Sequence, residues 1–263
     1  MDFGLKNKSV LIAAASSGIG LATAEAFLAE GAKVSICSRN PEKLNIAREI
    51  LEKKTGQKPF AIACDLTDSD SIENWVSQSE KALGPTQILV TNTGGPPAGT
   101  WSELKPQDWE KAYLLILKSV MKLCELVVPS MQKNKWGRLI LLSSLSAKQP
   151  ITHLACSSTF RAGLLGYAKS LANDLGKYNI TVNTILPGYT LTERQKELAE
   201  KTAAKTGKSP DEVIKSWEAD VPLRRTAKPE EIAAAVVFLA SEKASYITGT
   251  ALPVDGGIIQ ALY

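Results

Sequence analysis

The sequence predicts a doubly wound α/β fold, a parallel sheet with helices on both faces. Three observations carry this. Short Val/Ile/Leu-rich runs alternate with helix-like segments along the whole chain. The runs are continuously apolar, as strands covered on both faces are. The first run ends in a glycine-containing turn that opens directly into a helix.

Ser9 to Ala13 is the first strand, and Ile19 to Glu30 is a helix stopped by Gly31. Lys33 to Ser38 is the second strand. Pro41 to Lys54 is a helix, with Asn40 as N-cap and Pro41 at its first position, where a missing N–H costs nothing. Pro59 to Cys64 is the third strand, followed by a helix from Asp68 to Leu83 that Gly84-Pro85 ends. Ile88 to Thr91 is the fourth strand, and Pro106 to about Gln132 reads as one long helix. Arg138 to Ser143, a long helix from Leu154 to Lys177, and Ile180 to Leu186 come next. Pro229 to Ala240 is a helix, and Thr250 to Val254 is the last strand. Residues 1–263 therefore read as one domain without a linker or repeat. Thr190 to Lys228 is the least regular stretch, charged, with one or two short helices around Ser209-Pro210. Its place after a late strand suits a substrate lid, and a solvated helical excursion is the plain alternative.

Composition bounds the function. Of 263 residues, 44% are apolar and 22% charged, ordinary for a globular protein. A net charge of +4 without a dense basic run gives no case for nucleic acid. No stretch is long and apolar enough to span a membrane. Cys37, Cys64, Cys124 and Cys156 have neither zinc-site nor disulfide spacing, so no metal is expected. Met1-Asp2-Phe3-Gly4 does not begin a signal peptide. The expectation is a cytoplasmic protein that acts on a small molecule.

The turn after the first strand reads Ala13-Ala14-Ala15-Ser16-Ser17-Gly18-Ile19-Gly20. Glycines at a strand-to-helix turn let the backbone approach a diphosphate, and the helix N-terminus offers free N–H groups and a positive dipole. Strand, turn, helix and strand in that order make this a Rossmann-type nicotinamide dinucleotide site. A fold that takes NAD usually ends its second strand in an acid that binds the ribose 2′-hydroxyl. Here Cys37-Ser38-Arg39-Asn40 stands instead. The Arg39 guanidinium can pair with a 2′-phosphate and Ser38 can hydrogen-bond it, which puts NADP(H) ahead of NAD(H). Asp65, before Leu66, can accept a hydrogen bond from adenine or can cap the next helix.

Together these residues resemble the short-chain dehydrogenase/reductase family. Its T-G-x-x-x-G-x-G motif falls on Ala13 to Gly20, with Ala13 and Ala14 in place of the first Thr and Gly. Its N-N-A-G motif matches Thr91-Asn92-Thr93-Gly94, and its serine segment matches Leu142-Ser143-Ser144. Its P-G turn matches Pro187-Gly188, followed by Tyr189-Thr190-Leu191-Thr192, and Val254-Asp255-Gly256-Gly257 is typical of its end. The resemblance implies a seven-stranded sheet and a homotetramer. It also implies a cofactor site that includes Ser16, Ser17, Gly18, Ile19, Gly20, Ser38, Arg39, Asp65, Leu66, Asn92, Gly94, Arg161, Pro187, Gly188, Thr190 and Thr192.

The departures lie in the chemistry. The flanking Ala162-Gly163-Leu164-Leu165-Gly166 places Ser157 at the family's catalytic tyrosine and Arg161 at its lysine. Trp109-Glu110-Lys111 places Ile116 at the asparagine of its proton relay. Of four catalytic positions only Ser144 is kept. With Gly94-Gly95-Pro96-Pro97, the set is similar to a divergent branch resembling 3-oxoacyl-acyl-carrier-protein reductases.

A serine is far too weak an acid to replace tyrosine, and an arginine stays protonated. One reading is a modified carbonyl reductase: Ser144 and Ser157 bind the carbonyl oxygen, Arg161 stabilises developing charge, and another group supplies the proton. His153, the lone histidine, and Tyr189 are candidate donors. Cys156 reads as a small buried thiol. The other reading is an inactive NADP(H)-binding module or regulatory subunit. The apolar faces around Tyr113, Leu117 and Met121 and around Leu164, Leu165 and Leu171 are expected to serve both the core and subunit pairing.

Overall fold

The computed structural model describes residues 2–262. Its centre is a seven-stranded sheet: β1 (Ser9–Ile12), β2 (Lys33–Ser38), β3 (Phe60–Ala63), β4 (Ile88–Thr91), β5 (Gly137–Leu142), β6 (Ile180–Pro187) and β7 (Ala251–Val254). Every pairing is parallel, in the order β3-β2-β1-β4-β5-β6-β7. Val10 pairs with Val34 of β2 on one side and with Ile88 of β4 on the other. The winding therefore reverses at β1. A doubly wound sheet opens its ligand crevice at that point, beyond the carboxyl ends of the strands.

Alternation along the strands divides the core into two layers. Val10 and Ile12 pack with Phe27 and Val236, under α1 (Gly18–Ala29), α2 (Pro41–Thr55) and α9 (Pro229–Ala240). Leu11 packs on the opposite face with Trp75, Leu123 and Leu164, under α3 (Ser69–Leu83), α5 (Ser119–Asn134) and α6 (Ala155–Leu175). Burial on both faces explains why the strands read as unbroken apolar runs. The α2 boundaries follow their residues: Asn40 accepts from the Lys43 N–H at 2.8 Å, Pro41 opens the helix, and Gly56 closes it with φ 71°.

The expected helix from Pro106 to Gln132 is corrected. It runs as α4 (Pro106–Tyr113), a π turn (Leu114–Lys118) and then α5. A π turn inserts one residue without any proline or glycine signal, because it changes which carbonyl each N–H reaches and leaves side-chain propensity alone. Ile116 lies inside it, fully buried. The helices of the irregular segment are also longer than expected. These are α7 (Glu193–Thr206) and α8 (Pro210–Asp220), joined at the Ser209 capping box. Among the described residues no helix is long and apolar enough to cross a membrane.

Candidate active site

A cleft of about 1230 Å³ runs across the carboxyl ends of the strands, from Arg39 at one end to Ser144 and Arg161 at the other. Its middle is the turn between β1 and α1. Ser17 is the N-cap of α1, but its side chain makes no capping hydrogen bond, so the first N–H groups have no side-chain partner. Gly18 bends the chain with φ 54°. Gly20 does not line the cleft. It lies beneath, where a Cβ would come within 2.6 Å of the Ala14 carbonyl and 2.8 Å of Asn92 Nδ2. It therefore lets the helix close against the turn, which Asn92 fastens by donating to the Ala14 carbonyl at 3.0 Å. Such a cradle fits the diphosphate of a dinucleotide. Ala14 itself takes φ 48°, a left-handed conformation that disfavours a Cβ.

The end of the cleft beyond β2 is lined by Ser38, Arg39, Cys64 and Leu66. Ser16 Oγ donates to Ser38 Oγ at 2.9 Å, joining the cradle to the end of β2. Asp65 lies outside the lining. Its carboxylate accepts from the N–H and the hydroxyl of Thr67, at 2.9 and 2.8 Å, and the cap of α3 is Asp68. Ser16, Ser17, Ile19, Gly94, Pro187, Gly188, Thr190 and Thr192 all line the cleft. Thr190 Oγ1 donates to the Gly188 carbonyl at 3.0 Å, and Thr192 caps α7 through the Gln195 N–H.

The far end is built on β5 and α6. Ser144 caps a 3-10 turn (Leu145–Ala147) by accepting from the Ser146 N–H at 3.2 Å. That bond uses a lone pair and leaves its own O–H free to donate. The Ser157 hydroxyl lies 3.2 Å from Ser146 Oγ, tied into the protein. Arg161 is 8% exposed and donates through Nη1 to the carbonyls of Ser143 at 2.7 Å and Leu142 at 3.3 Å. Burial, with a smaller push from Arg194, lowers its pKa to about 10, which still leaves it charged at neutral pH.

A family model described as Enoyl-(Acyl carrier protein) reductase matches residues 13–259. The chain belongs to the short-chain dehydrogenase/reductase family. It is 33% identical over 256 residues to the 3-oxoacyl-[acyl-carrier-protein] reductase MabA of Mycobacterium tuberculosis, covering 96% of this chain and 93% of that one. It is 32% identical to the corresponding FabG of Chlamydia muridarum, over 98% of this chain and the whole of that one. The L-sorbose reductase of Gluconobacter frateurii, solved with NADPH and L-sorbose, superposes with a TM-score of 0.94 at 33% identity over the full length of both chains.

Within this short-chain dehydrogenase/reductase, the remaining candidate proton donors divide. Tyr189 lines the cleft, stacked on Trp217 with ring centroids 5.3 Å apart, and burial and then Asp220 push its phenol up. His153 also lines the cleft, exposed, with Nδ1 3.6 Å from Glu103. Cys156 is buried, and desolvation raises its thiol pKa. Sequence reasoning missed Arg194 and Lys43, both of which line the cleft. Lys43 lies 3.5 Å from Glu193, and Arg194 Nη2 donates to the Pro96 carbonyl at 2.9 Å. Each contact joins residues far apart in the chain, so no local pattern signals it.

Proposed function

We propose that the protein is an NADP(H)-dependent reductase that converts a carbonyl to an alcohol, with a 3-oxoacyl thioester among its candidate substrates. One observation carries the reading: a single cleft has the α1 cradle at its centre, Arg39 at one end and the Ser144 hydroxyl beside Arg161 at the other. Ser16 to Ile19 would hold the diphosphate, Ser38 and Arg39 the 2′-phosphate, and Asn92, Gly94, Pro187, Gly188, Thr190 and Thr192 the rest of NADPH. When bound, NADPH supplies hydride to the carbonyl carbon. Ser144 orients the carbonyl oxygen by donating its O–H, and Arg161 stabilises charge developing on that oxygen. Ser157 holds Ser146, and through it the turn that Ser144 caps. The proton comes from a donor other than a tyrosine at residue 157, with water, Tyr189 and His153 as candidates. The α7–α8 segment acts as a lid that excludes bulk solvent, and the chain forms a homotetramer through α4–α5 and α6.

The experiment is a titration with NADPH and NADH, followed by NADPH oxidation across carbonyl compounds that include acetoacetyl thioesters. Preference for NADPH with turnover is expected. A second reading has one observation in its favour: the Ser157 hydroxyl, at the family's tyrosine position, is engaged by protein. NADPH binding without oxidation of any carbonyl would make the protein an inactive binding module. Light scattering of a monomer would refute the tetramer.

A further inference from the structure

Arg161 is a buried cation without a carboxylate. Elsewhere, Lys122 meets Glu73 at 2.6 Å and buried Arg138 has Glu242 at 3.6 Å. Arg161 donates through Nη1 to two backbone carbonyls, and its guanidinium makes no other hydrogen bond among the described residues. Its side chain lines the cleft. Arg194 lines the same cleft from the first turn of α7, held over Gly95 and Pro96 by its bond to the Pro96 carbonyl. Arg194 Nη1 pairs with Glu197 at 3.4 Å, and Glu197 lines the cleft as well. Taking a cation out of water costs free energy that hydrogen bonds to neutral carbonyls recover only in part. Arg161 and Arg194 face the cleft with Arg39, Lys43, Lys201 and Lys205, against the carboxylates of Glu193, Glu197 and Asp220, so cations outnumber carboxylates and leave it electropositive.

The phosphates of a dinucleotide do not supply the counter-ion for Arg161. They belong at the α1 cradle beside β1 and at Arg39 beyond β2. Arg161 lies behind the end of β5, on the other side of β1 and β4 in the sheet. Ribose hydroxyls can accept one of its N–H groups but carry no charge. The missing anion must then arrive with the substrate.

We propose that Arg161 and Arg194 form a carboxylate subsite, so that the compound reduced is an oxo acid whose carboxylate lies close to the reacting carbonyl. This rests on the reductase reading and narrows its substrate class. A guanidinium presents paired N–H groups that match the two carboxylate oxygens. The reaction balances as oxo acid plus NADPH plus a proton, giving hydroxy acid plus NADP⁺. The carbonyl carbon gains hydride and its oxygen gains the proton. A cation beside that oxygen also lessens the need for a strong acid, which accords with serine at residue 157.

The test uses the NADPH-loaded enzyme and two readouts. The first is binding of malonate, a dicarboxylate that is not reduced. The second is kcat/KM for matched pairs: acetoacetate with its methyl ester, and pyruvate with its methyl ester. We expect malonate to bind, each acid to exceed its ester by about tenfold or more, and Arg194→Gln to lower both malonate affinity and acid turnover by about tenfold, as loss of a charge-assisted hydrogen bond does. NADPH affinity should not change in that variant. Equal turnover of acid and ester, or no malonate binding, overturns the subsite while leaving the reductase reading intact. Malonate binding without reduction of these four compounds or of any carbonyl in the thioester-containing panel supports the subsite and removes the reductase reading. Inorganic phosphate binding more tightly than malonate overturns the carboxylate assignment. An Arg194→Gln variant that loses NADPH rather than malonate does so too, because Arg194 then grips the dinucleotide.

Discussion

The two ends of the cleft are built by different means. Around β1 the backbone forms the site: a helix N-terminus, a positive-φ glycine and an asparagine that ties the turn. Ala13 and Ala14 stand where the family has Thr and Gly, and the turn still forms. Around β5 and α6 the site consists of side chains, with Ser157 and Arg161 aligned to the family's tyrosine and lysine. Backbone recognition tolerates side-chain drift, because N–H groups and a helix dipole are present whatever the residue. Proton transfer does not, because it depends on one group with one pKa.

Arg161→Met breaks this contrast most severely. It should remove turnover of an oxo acid while leaving Tm unchanged or higher, because an unpaired buried charge gives way to an apolar chain of similar reach. A large fall in Tm, read by calorimetry, would make Arg161 a structural residue. In the unaltered protein, malonate affinity should hold through neutral pH and fall as pH passes about 10, where Arg161 loses its proton. Next in size is Ser144→Ala, expected to lower kcat about 10²- to 10³-fold, as loss of one oxyanion donor does, with NADPH affinity unchanged. Arg39→Ala sharpens the comparison at the other end. It should weaken NADPH about 10- to 100-fold and leave NADH alone, the size of a charge-assisted hydrogen bond to phosphate. Equal losses for both nucleotides in a binding titration would remove Arg39 from 2′-phosphate recognition. The smallest effect is Ala14→Gly. Relief of the left-handed alanine should raise stability by up to about 1 kcal/mol in denaturant unfolding, with NADPH binding equal or tighter.

Much of this molecule was legible residue by residue. The strands are apolar because both faces are covered, and Asn40-Pro41 and Gly56 mark the ends of α2 by their own conformational limits. Ser144 and Arg161 came from alignment to the family's motif, and both line the cleft. Gly20 and Asp65 show the boundary of such reasoning. Both belong to the right turns, yet one packs beneath the cradle and the other folds onto Thr67, and only the path of the chain decides which way a residue faces.

The sequence by itself determined the order of elements, the glycine-bearing strand-to-helix turn, and a serine and an arginine at residues 157 and 161, because each is written in local residue type and spacing. The tertiary structure alone decided the π turn at Leu114–Lys118, the tie from Ser157 to Ser146, and the arrival of Arg194 in the cleft with Arg161. These depend on packing between segments distant in the chain, where neither propensity nor periodicity carries information.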